Sequence, residues 1–212
     1  MATISNQVKS NMAVVQKLSF GVGVLGLCIS GAFLGFQRKE FFESYLIAYI
    51  YFFAIGSGSL ALLMIQHVAG GAWGFSIRRL LEAGSRTLLL LAVLFVPLLF
   101  GLPEIYQWAR PEALKDRIIE LKSGYLNVPF FLIRQAIFFA IWIGLAYSLT
   151  YFSKKEDETG EESIGWWFKA ISGPGLVVFA ITVGLTSVDW AMSVDVHWYS
   201  SMYPVLFAFG CI

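Results

Sequence analysis

Charge is scarce in this sequence. Fifteen Lys or Arg and 14 Asp or Glu among 212 residues make 14% charged, where a soluble domain has about a quarter. The formal net charge of +1 leaves no electrostatic case for a nucleic-acid partner. Cysteine and histidine are scarcer still, with two of each. Cys28 and Cys211 both lie inside apolar runs, and no C-x-x-C-H haem attachment site is present. Two isolated membrane cysteines cannot hold an iron–sulfur cluster, so any cluster or c-type haem is expected on another subunit. The first residues, MATISNQVKS, lack the pattern of a cleaved signal peptide.

Apolar residues dominate instead. They make up 58% of the chain, and mean hydropathy is +0.70. These values place the chain among polytopic membrane proteins, where a spanning helix needs ~20 apolar residues. The expected architecture is all-α: a single membrane domain with five complete transmembrane helices and the start of a sixth. The first span is expected over residues 18–36, a four-helix bundle over 45–192, and the next span from 203. Ten residues remain after Met202. That is too few to cross a bilayer, so the chain reads as part of a longer protein.

The second span, residues 45–68, organises the rest. Tyr45, Tyr49, Phe52, Gly56, Ser59, Leu63 and His67 share one helical stripe, because steps of three and four return to one face. Polar side chains are kept from lipid, so this stripe is expected to face protein or a water-filled cavity. Gly70 and Gly71 should end the helix. Trp73 should mark the interface, and Arg78 and Arg79 a short surface helix capped by Gly84.

The remaining spans carry fewer marks. Gly31-x-x-x-Gly35 in the first span permits close helix approach, though glycine is also common in membrane helices generally. The third span, residues 87–102, contains Pro97, where a kink is expected. Residues 111–122 suggest a surface helix, with Pro111 at its first position and Leu114, Ile118 and Leu121 on one face. The fourth span, residues 128–152, contains Arg134. The charged run at 153–163 reads as a solvated loop, with Trp166 and Trp167 at headgroup level beyond it. The fifth span, residues 173–192, puts Gly175, Val178, Thr182, Thr186, Asp189 and Ser193 on one face. Lys and Arg split eight against six between the two sides, which favours a cytoplasmic N-terminus.

Arg134 and Asp189 are the charges inside apolar runs. Each costs ~2.5–3.5 kcal/mol on insertion scales and needs a partner. They are expected to pair, directly or through water. The alternative is that Arg134 reaches the interface and Asp189 caps a helix end. Thr182 and Thr186 are candidate linings of a proton path or of a quinone headgroup site, although membrane threonines often bond back to their own helix. His67 is a candidate proton carrier or a packing histidine. His197 lies at the other end of the membrane, so the two cannot share one haem iron. It is a further proton-transfer candidate, or a residue of the interfacial belt. No residue is marked as a metal ligand.

Three stretches carry a family resemblance: GSGSLALLMIQHVAGGAWGFSIRRLLEA at 56–83, YLNVPFFLIR at 125–134 and DWAMSVDVHWYSSMYPVLFAFG at 189–210. Together they resemble the NrfD-like (polysulfide-reductase-type) membrane subunit of alternative complex III, the ActF type, a bacterial quinol:electron-acceptor oxidoreductase. The resemblance implies about ten spans in two four-helix bundles, of which spans two to five form the first. It implies partner subunits bearing haem c and iron–sulfur clusters, quinol or quinone nearby, no cofactor bound by this chain itself, and residence in a bacterial inner membrane. His67, Arg79, Asp189 and His197 carry over as candidates, Arg79 as a charge partner; Arg134 stands beside them as the charge partner expected of Asp189 from the residues themselves. The chemistry implied is proton transfer coupled to redox steps in neighbours, with the subunit not catalytic alone. Two other classes stay open. One is a structural anchor for redox subunits. The other is a secondary transporter with a broken helix at Gly56-Ser57-Gly58-Ser59.

Overall fold

The computed structural model describes residues 6–33, 35–71, 73–74, 76–160 and 164–212, and no strand occurs among them. The chain runs α1 (Asn6–Phe33), α2 (Arg38–Ala69), α3 (Arg78–Phe100), α4 (Leu102–Ile105), α5 (Arg117–Lys122), α6 (Val128–Thr159), α7 (Ile164–Trp190) and α8 (Tyr203–Gly210). Five of these, α1, α2, α3, α6 and α7, contain stretches long and apolar enough to cross a membrane. The protein is therefore a multi-pass helical membrane protein. Helices α2, α3, α6 and α7 form a closed ring: α2 and α6 each pack between α3 and α7. Helix α8 lies on α7, and α1 touches α2 only lightly.

An aromatic layer holds the ring together. Trp190 of α7 is fully buried. Its ring lies 4.8 Å from Phe53, 5.3 Å from Tyr49, 5.2 Å from Phe95 and 6.2 Å from Phe139, so all four helices meet on one indole. Pro97 has no N–H to donate and crowds the carbonyl of Val93, four residues earlier. Helix α3 runs on through it to Phe100. Tyr49 and Tyr45 donate their hydroxyls to the Leu91 and Leu94 carbonyls of α3, each at 2.8 Å. These bonds tie α2 to α3 on either side of Val93.

Several expected boundaries differ. Arg78 and Arg79 open α3 itself and do not form a separate surface helix. Gly84 is no cap; it lets α3 approach Ser59, whose side chain a Cβ there would overlap. The charged run is helical through Thr159, and Gly160 ends it in the left-handed region at φ 66°. Its residues 161–163 lie outside the described residues. Helix α7 begins at Ile164, nine residues before the expected Gly173, and carries Pro174 inside. Residues 111–122 do not make one helix. A short 3-10 turn, Ala113–Lys115, precedes α5, which Asp116 caps by accepting from the Ile118 N–H at 2.8 Å. Gly70 and Gly71 do end α2, with φ of 71° and 90°.

The expected stripe of α2 is only partly the inward face. Tyr49, Gly56, Leu63 and His67 are buried, but Phe52 is 59% exposed and its neighbour Phe53 takes the inward place. Lower down, α2 is buried on both sides, because the end of α8 sits against it. A Cβ at Gly58 would overlap the Cys211 carbonyl. Gly58→Ala is thus expected to lower the apparent melting temperature in detergent, by the equivalent of ~1–3 kcal/mol of overpacking. Gly144→Ala meets open space and should leave it unchanged or higher.

Candidate functional site

Two buried polar clusters sit at opposite ends of the ring. The first is built on α6 and α7. Asn127 caps α6 by accepting from the Phe130 N–H at 2.9 Å, and this fixes where the first turns of α6 point. Arg134, two turns on, is thereby aimed at the last turn of α7. Its Nε and Nη2 donate to the two oxygens of Asp189 at 3.0 and 2.9 Å, a bidentate pair. Asp189 is fully buried and Arg134 nearly so. Gln135 Nε2 donates to Asp189 Oδ2 at 2.8 Å, and Gln135 Oε1 accepts from Trp190 Nε1 at 3.0 Å. Arg134 Nη1 donates to the Tyr125 carbonyl at 2.9 Å. The rings of Tyr125 and Phe130 lie 3.8 and 4.4 Å from the guanidinium carbon. Ser193 Oγ donates to the Asp189 carbonyl at 2.6 Å, and Tyr106 Oη to the Trp190 carbonyl at 3.1 Å. Burial raises the pKa of the Tyr106 and Tyr125 hydroxyls, with the Asp189 carboxylate adding to the effect. Both therefore stay protonated through the physiological range.

The second cluster joins α2, α3, α6 and α7. Buried Glu82 accepts from Arg78 Nε at 3.1 Å, from Arg79 Nη1 at 2.8 Å, and from Ser153. Arg78 Nη1 reaches Glu156 at 2.7 Å, and Arg79 pairs with Asp157. These bonds explain why the charged run stays helical: its acidic residues, three and four beyond Ser153, face α3. The Arg78 guanidinium stands 4.7 Å over the Phe168 ring. His67 stacks on the same ring at 4.4 Å, and its Nδ1 lies 3.4 Å from Ser172 Oγ. The His67 Nε2 is buried and meets no hydrogen-bond partner among the described residues.

Of the expected site residues, Arg134 and Asp189 come together directly. The cap-and-snorkel alternative does not describe them. His67 faces the bundle, near Arg79's cluster and away from Asp189. Thr186 donates to its own helix at 2.8 Å. Thr182 does likewise and also accepts from Trp142 Nε1 at 2.9 Å. Val178 of the same stripe is exposed, and Phe179 turns inward. His197 lies in the loop after α7, with Nε2 3.0 Å from Asp116 at an exposed position. Some 18 residues of α7 separate the Ser172 level from Trp190, about 27 Å at 1.5 Å per residue. The two histidines accordingly cannot serve one ligand. Among the described residues, no three His, Cys, Asp or Glu side chains gather as a metal site requires.

Gln135, Tyr125, Trp190, Glu82, Ser153 and Ser172 belong to these clusters without having been singled out from the sequence. The signal for Glu82 was its spacing of three and four from Arg79 and Arg78, which places all three on one helix face.

Two outcomes test this geometry. Asp189→Asn strands a buried guanidinium and should destabilise by ~3–5 kcal/mol, whereas Arg134→Leu with Asp189→Leu should recover most of that loss. Apparent melting in detergent reads both, and an additive double variant would count against the pair. At the other end, Glu82→Gln should cost several times more than Asp157→Asn. The Glu82 side chain is 6% exposed and that of Asp157 is 45%, and exposed pairs contribute ~0–1 kcal/mol.

Comparison with protein-family models and with curated proteins finds no match, so the functional reading rests on the residues themselves.

Proposed function

We propose that this chain is an integral membrane subunit of a quinol-oxidising respiratory complex of the alternative complex III type, NrfD-like in fold. It sits in a bacterial inner membrane with its N-terminus in the cytoplasm. Its task is proton transfer and assembly in support of electron transfer carried by haem c and iron–sulfur partners, with quinol nearby. The observation that carries the reading is the Arg134–Asp189 pair. An ionisable pair buried in a membrane bundle is expensive to keep, and it marks a functional site by default. His67 adds a second group able to exchange a proton, facing the bundle at the opposite end. The quoted sequence stretches supply the link to the respiratory family.

An anchoring role is favoured by a different observation. Thr182, Thr186 and Ser193 all spend their hydroxyls on backbone carbonyls of their own segment, as packing residues do. The transporter reading fares worse, since α2 runs unbroken through Gly56–Ser59.

The test is purification of the full-length protein in mild detergent, followed by optical spectra and mass spectrometry of what accompanies it. Haem c and iron–sulfur subunits should co-purify and sustain quinol-dependent electron transfer. A colourless protein that purifies alone overturns the reading. Within an assembled complex, His67→Gln should lower turnover while haem content stays constant. Unchanged turnover in that variant and in assembled Asp189→Asn would assign the chain to anchoring.

A further inference from the structure

A cavity of about 290 Å³ opens at the Asp189 end, between the end of α5 and the loop after α7. Leu126, Val188 and Met192 form an apolar wall, and Lys122 and Asp195 stand on its lining. Its level in the bilayer follows from the helices beside it. Helix α6 starts at Val128 and α7 ends at Trp190, so the cavity lies where spans meet headgroups. Trp198 and Tyr199 on its lining are exposed, as aromatic side chains at that interface are.

The charges are arranged for a ligand bearing both signs. Lys122 Nζ donates to the Val196 carbonyl at 2.6 Å, which uses one of an ammonium's three N–H groups. Asp195 accepts the His197 N–H on Oδ1 at 3.0 Å, which leaves Oδ2 to accept another donor. Lys122 is thus held on a backbone carbonyl and forms no ion pair with Asp195, so both charges remain on the lining for a ligand to meet. Asp116, the nearby acid on α5's cap, is engaged by His197 Nε2 at 3.0 Å. The volume lies just below the range of sites for drug-sized ligands, ~300–1,000 Å³. It suits a headgroup whose acyl chains lie outside along the bundle.

We infer that this cavity binds the headgroup of a phospholipid carrying a phosphate and a primary amine, the phosphate toward Lys122 and the ammonium toward Asp195. The inference needs only a membrane-embedded chain and does not depend on a respiratory role. A choline headgroup keeps the charge but has no N–H to give Asp195. A glycerol headgroup has no cation at all. Discrimination therefore sits at Asp195, and overall affinity at Lys122.

The experiment is native mass spectrometry of the delipidated full chain, together with any co-purifying partners. It is re-exposed to phosphatidylethanolamine, phosphatidylcholine or phosphatidylglycerol of identical acyl chains. Wild type should retain the ethanolamine lipid on the order of tenfold over the choline lipid, the ratio one charge-assisted hydrogen bond supplies. Asp195→Asn should bring the two level; its amide oxygen can still accept from His197, so the loop is expected to hold. Lys122→Met should reduce retention of both. Equal retention of the two lipids by wild type overturns the inference, as does an undiminished preference in Asp195→Asn. Soluble phosphoethanolamine and inorganic phosphate are run as competitors. If soluble phosphoethanolamine binds as tightly as the lipid, a free small molecule is the ligand and the lipid assignment fails.

Discussion

Desolvation of Arg134 and Asp189 is the constraint around which much of this bundle is arranged. A lone buried charge is expensive, and the pair is tolerated because each member answers the other and most of the carboxylate's remaining hydrogen-bonding capacity is filled. Asp189 receives two bonds from Arg134 and one from Gln135. Arg134 spends a further donor on the Tyr125 carbonyl. Each of these demands fixes something else. Gln135 must face α7, which orients the first turns of α6. Its other end binds Trp190, which sets the rotamer of the indole on which all four helices pack. Tyr125 must lie over the guanidinium, which positions the connection from α5 to α6. Polar satisfaction and apolar packing are therefore one arrangement here, because the Trp190 ring belongs to both.

The opposite end follows the same logic with weaker means. Glu82 is buried and answered by Arg78, Arg79 and Ser153, but the outer members, Arg79 and Asp157, are about half exposed. Solvent screens such pairs, so this end tolerates loss of a peripheral charge better than the Asp189 end tolerates loss of either member. His67 sits where the cluster gives way to the aromatic core, stacked on Phe168 with Arg78 over the same ring.

How far this was legible in the sequence depends on how local the signal was. Arg134 and Asp189 stood out because a charge inside an apolar run has few explanations. Their partner Gln135 did not, because glutamine next to arginine carries no periodic signature. The run KKEDETGEE looked like a solvated loop on charge alone. Only the opposing Arg78 and Arg79, far away in sequence, make its first part a helix. The wheel placed His67 and Tyr49 correctly but misjudged Phe52. A helix wrapped by three neighbours buries a broader and shifted arc than a single stripe describes. Gly84 shows the same limit: a glycine signals a helix end or a close approach equally well, and the choice depends on Ser59 across the interface.

The distance between the two clusters bears on what one chain can conduct. Proton transfer needs successive donors and acceptors in reach of one another. Between Ser172 and Asp189, the polar side chains of α7 are Thr182, Thr186 and Ser187. All three hydroxyls donate to carbonyls of their own helix. Ten residues separate Ser172 from Thr182, about 15 Å of helix, and the Trp142–Thr182 bond closes the bundle at that level. The hydroxyls of α7 are therefore committed to their own helix over this stretch, and the packed rings of Phe53 and Trp142 lie between the His67 and Asp189 clusters. If the chain conducts protons as proposed, water entering the bundle or a polar face supplied by neighbouring helices would have to join the two clusters.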